Sequence, residues 1–395
     1  MPIPEGPGRD GACRQPRLLV VAPAPIVSVI LTLAKPLNRL RDAGAVSLRY
    51  AYAWTTRAED VAWADVVLFC RPAEVDELRL MERARRAGRR VMVALDDDLL
   101  AVPPETGVGR YYGKPLRRWV MGAFLRHADL VQVYNARLAT TVQGFGAPVR
   151  QFPQLFDGAL VDGIRPATEA EGQLLVAYPT SRGAGDTLGK VFLDALSLVP
   201  DDIRGRLRLH VWGAAPAGFE GLPGLVVRPY QPDYDSFIRD LAATGYAMGL
   251  APLVPDHFHA CKTELKFREY GGCGIPGIFT DAPPYAPAVE DGRTGLLVPN
   301  RPEAWADAIT RLARDSRLRW SIAEAARQEV ARRYGLPTVL DAWSDLLSGL
   351  MSTPPRRDLP GFPLSHAPAW ALERARGIVR WAKADRGWLA KLPTA

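Results

Sequence analysis

The chain has 395 residues, of which 48% are hydrophobic and 24% are charged, and its formal net charge is +7. This length is too great for one ordinary domain, and the composition is typical of a soluble globular protein. The modest basic excess is compatible with a polyanionic ligand or an anionic membrane, but the arginines around 79–90 accompany no recognition motif, so nucleic-acid binding is not predicted.

The first residues carry no targeting signal. Residues 1–16 have no apolar core of the kind that a secretory signal needs, so we predict a disordered leader. The longest apolar stretch, PAPIVSVILTLA, is too short to span a bilayer and ends at Lys35. The 4 cysteines form no C-x-x-C pair, which argues against a disulfide framework. We therefore expect a cytoplasmic protein.

Residues 17–156 alternate short apolar runs with helical stretches. The runs are RLLVVAP, VSLRYAY, VVLFC, RVMVAL, LVQVY and PVRQF. Helical segments such as VDELRLMERARRAG lie between them, and this alternation indicates βαβ units around a parallel sheet. No helix start matches G-x-G-x-x-G, so the usual dinucleotide signature is absent.

Residues 157–173 are polar, contain Gly and Pro and have weak periodicity, which predicts a linker. The alternation then restarts over residues 174–350. Its strand-like runs are QLLVAYP, RLRLHVW, GLVVRPY, YAMGLAPL, IPGIFTD and TGLLVP, and the helices predicted to close this half cover 302–314, 317–333 and 336–350. The predicted fold class is α/β, with two doubly wound domains facing a cleft. Ligands of such sheets bind beyond the carboxyl ends of the strands.

Residues 351–395 differ in character from the rest. A Pro-rich stretch leads into a basic, amphipathic segment, and we expect a C-terminal helical tail. Trp370, Trp381 and Trp388 fall close to one helical face, so residues 368–392 could lie on an anionic membrane surface. The same helix could instead pack back over the first domain, and the pattern does not separate these alternatives.

A polar stripe runs along the stretch CKTELKFREYGGCG. Lys262, Lys266 and Glu269 are spaced i, i+4 and i+7, so a helix over 261–273 places them on one face. This helix lies between two predicted strands, so its N-terminus emerges at the carboxyl edge of the sheet. The lysines would attract an anion there, and Glu269 could accept two hydrogen bonds from a vicinal diol such as a ribose. The alternative is an ordinary solvated face.

Three aspartates follow the strand RVMVAL, at the carboxyl edge that faces the cleft. Asp96, Asp97 and Asp98 could orient acceptor hydroxyls, bind a divalent metal ion through a diphosphate, or cap a helix. The two-domain layout argues against the metal-dependent arrangement, and we predict that they lie on the acceptor side.

A short H-x-H-x-C run comprises His257, His259 and Cys261. A zinc site needs four tetrahedral ligands, or three and a water molecule, and no partner pair is evident in the sequence. We therefore predict no metal site. His259 is expected either near a donor substrate or packed as a structural residue.

The block KTELKFREYGGCGIPGIFTDAPPYAPAVEDGRTGLLVPN resembles the nucleotide-sugar site of the retaining glycosyltransferases of family 4, which have the GT-B fold. The matching positions are Glu269, Gly274, Pro276 and the run DGRTGLLV over 291–298. The two-domain layout extends the resemblance over most of residues 17–350. Two departures are Cys261, which stands where the family commonly has a first glutamate, and PAPIVS, which stands where it often has a glycine-rich loop.

The resemblance implies transfer of a sugar from a nucleotide diphosphate sugar, with retention and without a cofactor or an obligatory metal. Arg182, Lys262 and Lys266 would stabilise the diphosphate. The residues expected at the donor are Glu269 for the ribose, Thr294, Gly295 and Leu296 beside the diphosphate or sugar, and His259 at the position of an asparagine in a related subgroup.

The sequence thus predicts a cytoplasmic GT-B glycosyltransferase of bacterial surface polysaccharide or glycoconjugate assembly, with a glycan or lipid-linked acceptor. Two alternatives stay open: another enzyme class on the same fold, such as a sugar epimerase or a phosphorylase, and a non-catalytic nucleotide-binding protein. The sequence does not indicate the sugar, the base or the oligomeric state.

Overall fold

The structure is a computed structural model that describes residues 15–24, 26–167, 172–180 and 189–360. Two six-stranded sheets form the cores of two α/β domains, and every strand pairing in them is parallel. Three sequence predictions lie outside the described residues: most of the leader, the role of Arg182, and the amphipathic helix over 368–392.

The first domain contains the sheet β2-β1-β3-β4-β5-β6. Its strands are β1 Arg17–Val21, β2 Ser47–Ala51, β3 Val66–Cys70, β4 Arg90–Leu95, β5 Leu130–Val133 and β6 Val149–Gln151. Its helices are α1 Val27–Val29, α2 Lys35–Asp42, α3 Ala58–Trp63, α4 Val75–Arg86, α5 Gly107–Tyr112, α6 Pro115–His127 and α7 Ala136–Gln143, with a π-helical turn Ile30–Ala34 joining α1 to α2. Each apolar run predicted as a strand is a strand, because a parallel sheet covered on both faces buries nearly every side chain.

The second domain contains the sheet β12-β11-β10-β7-β8-β9. Its strands are β7 Leu174–Thr180, β8 Leu207–Gly213, β9 Leu225–Arg228, β10 Met248–Ala251, β11 Gly277–Thr280 and β12 Leu296–Val298. The helices that come after β7 in the chain are α8 Gly189–Leu198, α9 Asp201–Arg204, α10 Tyr234–Ala243, α11 His257–Ala260, α12 Leu265–Gly272, α13 Pro302–Arg314, α14 Ser316–Tyr334 and α15 Leu336–Ser352. The order in which successive strands join the sheet reverses at β7: β8 and β9 follow on one side, and β10, β11 and β12 on the other. The position between β7 and β10 is therefore the switch point at which doubly wound sheets bind ligands.

The last helix, α15, returns to the first domain. The sequence pattern placed 336–350 with the second half, but Trp343 is fully buried in the core under the first sheet, with its ring 5.1 Å from that of Phe152. Val339, Leu347 and Leu350 pack in the same core. The amphipathic pattern showed that the helix has a buried face, but it held no information about which sheet that face meets.

The stretch 261–273, predicted as one helix, is a turn followed by a shorter helix. A short helix, α11, ends at Ala260, and α12 begins only at Leu265, so Lys262 lies on the turn between them. Gly271 and Gly272 are the last two residues of α12. A Cβ on Gly272 would come within 2.1 Å of the Phe156 ring, so these glycines allow close packing inside the last turn. Gly274, at a φ of +69°, makes the turn into β11.

Within the described ranges, none of the helices combines the length and the apolar character needed to cross a bilayer.

Candidate functional site

A cavity of about 410 Å³ lies between the two domains. In the second domain it is lined by the ends of β7 and β10, which flank the switch point, and by α10 and α12. In the first domain it is lined by α1 and the loop after β4. Its wall is formed by Val27, Ser28, Leu31, Asp96, Asp97, Gln154, Tyr178, Pro179, Thr180, Trp212, Tyr230, Gln231, Tyr234, Phe237, Leu250, Ala251, Pro252, Leu253, Lys262, Thr263, Leu265, Lys266, Glu269, Pro284 and Tyr285. The predicted cleft at the carboxyl edges of the two sheets is therefore present.

The structure brings Lys262, Lys266 and Glu269 to one wall of this cavity, as the sequence predicted. Lys266 Nζ lies 2.6 Å from Glu269 Oε2, and Glu269 is only 2% exposed. Lys262 Nζ lies 3.3 Å from Asp97 Oδ1, across the gap between the domains, and 4.4 Å from the centre of the Phe258 ring. The wall therefore combines two cations with one buried carboxylate, which suits a ligand that carries both an anion and hydroxyl groups.

Six aromatic side chains also line the cavity, and one of them, Phe237, has its ring centre 5.7 Å from Lys266 Nζ. The six are Tyr178, Trp212, Tyr230, Tyr234, Phe237 and Tyr285. Tyr230 is 59% exposed, which is unusual for a large ring unless a ligand or a partner covers it. A planar heterocycle could stack on this surface, since every base has a π face that aromatic side chains accept.

Trp212 is held in place by a small buried hydrogen-bond network. Its indole Nε1–H donates to the Tyr246 hydroxyl at 2.9 Å, and the hydroxyl donates to His210 Nδ1 at 3.1 Å. Burial and the nearby Arg228 guanidinium lower the pKa of His210 to about 4. His210 is therefore neutral at physiological pH and can accept this bond.

Asp96 does not face the cavity as a free acid. Arg71 Nε and Nη2 donate to its two carboxylate oxygens at 2.5 and 2.6 Å, and Nη2 also donates to Ser28 Oγ at 2.8 Å. Burial opposes ionisation of Asp96, but this guanidinium outweighs it and lowers the pKa of the carboxyl group. Arg71 has a φ of +53°, a left-handed conformation that costs a non-glycine residue about 1–3 kcal/mol. The strained residue lies beside the cavity, since its partners Ser28 and Asp96 line the cavity wall.

The three predicted acceptor-side aspartates therefore differ in their surroundings. Asp96 and Asp97 line the cavity, whereas Asp98 points away from it and accepts from the ring of His257 at 2.9 Å. All three have cationic or imidazole partners, so the structure gives none of them the simple capping role that was one alternative.

The predicted donor residues outside α12 do not line the cavity walls formed by the described residues. His259 Nδ1 lies 2.8 Å from Asp256 Oδ2 on α11. Thr294 is buried, and its hydroxyl accepts from the Glu290 backbone N–H. Gly295 packs so closely on Phe279 that a Cβ would come within 2.8 Å of the ring, and Leu296 begins β12 in the core.

Sequence reasoning missed several residues of this site. Arg71, Trp212 and Tyr234 stand in no motif, and each reaches the cavity or its aspartates from a different element. The available signal was position, since Arg71 directly follows β3 and Trp212 is near the end of β8, both at the carboxyl edge of a sheet.

Comparison with known proteins agrees with this architecture. Residues 189–315 match a family model described as glycosyl transferases group 1. The fold is similar to that of HepE from Anabaena, solved in complex with UDP and glucose, at 15% identity and a TM-score of 0.61, covering 85% of this chain and 99% of HepE. The comparison with curated proteins finds no match.

Two further solved structures share the fold. Sucrose-phosphate synthase from Thermosynechococcus elongatus has 13% identity and a TM-score of 0.62, covering 86% of this chain and 100% of that one. A glycosyltransferase from Rickettsia africae has 12% identity and a TM-score of 0.60, also covering 86% and 100%. The predicted fold is confirmed: the chain has the two-domain GT-B fold, and residues 189–315 of its second domain match the group 1 glycosyltransferase model.

Proposed function

We propose that this protein transfers a sugar from a nucleotide diphosphate sugar to a glycan or lipid-linked acceptor. The observation that carries the proposal is the cavity at the switch point of the second sheet, which Glu269, Lys262 and Lys266 line together with aromatic side chains. The family match covers the segment that supplies these three residues. A uridine nucleotide is the first donor to test, since the similar HepE was solved with UDP-glucose.

The chemistry of the cavity assigns each group a role in this proposal. Glu269 would accept hydrogen bonds from the ribose diol, and the lysines would neutralise the diphosphate as negative charge develops on it. Arg182 would add a third cation, a prediction that rests on sequence alone. The base would stack beside Tyr230 and Trp212.

The acceptor would approach from the first domain, where Asp97 and the Arg71–Asp96 pair form the opposite wall. Retention would follow if the acceptor attacks the face that the diphosphate leaves, so that a diphosphate oxygen removes the acceptor proton. In this scheme, the protein positions the reactants and stabilises the leaving group, and it needs neither an enzymatic nucleophile nor a metal ion.

A cytoplasmic location suits a nucleotide-sugar donor, and contact of residues 368–392 with the membrane would suit a lipid-linked acceptor. Synthesis of surface polysaccharide or glycoconjugate fits both. The alternatives are a sugar-nucleotide enzyme of another class, such as an epimerase, and a nucleotide-binding protein without activity. Cys261 stands in place of the first glutamate of the family pattern, and this departure is the reason to test for a nucleotide-binding protein without activity.

Thermal stabilisation by nucleotides tests the proposal. We expect one of UDP, GDP, ADP, CMP or their sugars to raise the melting temperature, with a gain of about 2.7 kcal/mol at one hundred times its dissociation constant. The gain should persist in EDTA and disappear in Glu269→Ala, while Glu324→Ala, a change on the exposed face of α14, should behave as wild type.

Absence of stabilisation by every nucleotide would contradict the donor site. Stabilisation without release of free nucleotide or transfer to a glycan acceptor would favour the binding protein, and an isomerised sugar nucleotide as product would favour the epimerase. Stabilisation that EDTA abolishes would contradict metal independence.

A further inference from the structure

Three side chains of different chemistry converge at the contact between the domains, outside the cavity wall. They are Asp98 from the loop after β4, His257 from the first turn of α11 and Cys261 from the end of that helix. Their carboxylate oxygen, ring nitrogen and sulfur all lie within 4.8 Å of one another. The imidazole Nε2 lies 2.9 Å from Asp98 Oδ2 and 3.8 Å from Cys261 Sγ.

The two separations made by the imidazole nitrogen are close to those of ligands that share one tetrahedral ion, and the carboxylate and the sulfur lie within 4.8 Å of each other. With bonds of about 2.0 Å to nitrogen or oxygen and about 2.3 Å to sulfur, neighbouring ligand atoms lie about 3.3 to 3.8 Å apart. The imidazole–sulfur distance already has this value, and the carboxylate–imidazole distance would have to open by only a few tenths of an ångström. His257 and Cys261 are four residues apart on one turn, a spacing that places two ligands on the same side of a helix.

The surroundings of the cluster orient the ligands. Asp98 Oδ1 accepts from the Leu100 backbone N–H at 3.1 Å, which leaves Oδ2 directed at His257. The Thr141 hydroxyl, which donates to the Arg137 carbonyl at 3.1 Å, lies 4.0 Å from Cys261 Sγ. Asp98 and Cys261 are buried, whereas the side chain of His257 is 45% exposed, which gives an ion and a water ligand a way in.

We propose that Asp98, His257 and Cys261 bind a divalent transition-metal ion of the zinc class, with water as the fourth ligand. The carboxylate, imidazole and thiolate set suits such an ion, which displaces the thiol proton on binding. Because Asp98 belongs to the first domain and the other two ligands to the second, the ion joins the domains. It lies behind the cavity wall that contains Asp97 and Lys262, so its role is structural and does not depend on the proposed function.

This site is not predictable from the sequence pattern. The H-x-H-x-C run lacked a partner pair, and the third ligand lies about 160 positions earlier in the chain, in the other domain. The run also does not show which histidine is the ligand: in the structure His259 turns to Asp256, and His257 faces the cysteine.

Titration of the full-length, metal-free, reduced protein with Co²⁺ tests the proposal. We expect binding of one Co²⁺ per chain, with the near-ultraviolet charge-transfer absorption of a thiolate ligand, and displacement by Zn²⁺. Cys261→Ser should abolish this absorption, and His257→Gln should weaken Co²⁺ binding about tenfold or more. Matched controls are Cys273→Ser and His259→Gln, in the same segment but outside the cluster, and both should bind as wild type.

The proposal is overturned if wild type shows no thiolate-to-cobalt absorption, or if the absorption persists in Cys261→Ser. Equal weakening by His257→Gln and His259→Gln would also overturn it, because the histidines would then act only through helix stability. Since His257 is half exposed, its variant is expected to fold, and circular dichroism of the metal-free variants checks this. Nucleotide binding is measured separately, so loss of one site leaves the other testable.

Discussion

At the residue scale, the position of Trp212 in the cavity depends on the protonation state of a histidine that does not touch the cavity. The Tyr246 hydroxyl accepts from Trp212, and neutral His210 can accept from that hydroxyl, so a proton on Nδ1 of His210 would require the hydroxyl oxygen to accept from both rings. Burial and Arg228 lower the pKa of His210, which keeps the network intact near neutral pH. The free energy of unfolding should therefore report the state of this histidine.

Stability is predicted to fall with acidity through His210. The folded-state pKa is about 4 and the usual value is 6.5, so between these values the unfolded chain takes up a proton that the folded chain refuses. This histidine contributes fully above pH 6.5, and its contribution is lost progressively as the pH falls towards 4, with a loss of about 2 kcal/mol at pH 5. Urea unfolding of wild type and His210→Gln at pH 7 and pH 5 measures the difference.

The His210→Gln variant should lose less stability between pH 7 and pH 5 than wild type, because glutamine does not titrate. Equal pH dependence of the two proteins would show that His210 is already protonated, or titrates normally, in the folded state.

How far the sequence predicted the site is clearest from single residues. Lys262, Lys266 and Glu269 were found because three polar residues shared a helical spacing next to a strand, and all three line the cavity. His210 and Arg71 were not found in the sequence, because their roles arise from contacts between strands and loops that are far apart in the chain. Such contacts leave no regular spacing in the sequence. Thr294 matched a family motif, yet among the described residues its hydroxyl accepts a hydrogen bond from the backbone N–H of Glu290, in its own loop.

At the element scale, the strands were predictable and the assignment of α15 was not. A buried parallel strand is a continuous apolar run, so each strand is visible in the sequence. A helix on the outside of a sheet shows only that one of its faces is buried. In α15, Trp343 meets the core of the first sheet, so the C-terminal part of the described chain holds the N-terminal domain together.

Truncation of Trp343 is predicted to destabilise the first domain. The side chain is fully buried beside Phe152, and replacing a buried tryptophan by alanine costs about 3–5 kcal/mol. Trp320 on α14 provides the matched control, since it is 72% exposed and Trp320→Ala should change stability by no more than about 0.5 kcal/mol. Urea unfolding followed by circular dichroism compares the two variants. Similar small losses in both would mean that α15 is not part of the folded core.

At the scale of the whole molecule, polar contacts hold the two domains around the cavity. Lys35 at the start of α2 donates to Asp157 in the connection between the domains, at 2.9 Å, and to Asp235 on α10 of the second domain, at 2.9 Å. The Asn135 side-chain amide donates to the Lys262 backbone carbonyl at 2.9 Å. The contacts of Lys35 with Asp235 and of Asn135 with Lys262 join the two domains directly, and the contact with Asp157 ties the first domain to the connection, so together they favour the closed arrangement.

Lys35 is the residue whose removal should open the molecule. It is 8% exposed, and Lys35→Met would keep its length but leave two carboxylates without their shared cation, at a cost on the order of 1–3 kcal/mol. Because this cost applies only while the domains are closed, the population should shift towards open forms with a larger radius of gyration in X-ray scattering. Lys190→Met removes an exposed pair within α8 and should scatter as wild type. An unchanged radius of gyration in Lys35→Met, with its fold intact, would show that apolar contacts alone set the domain arrangement.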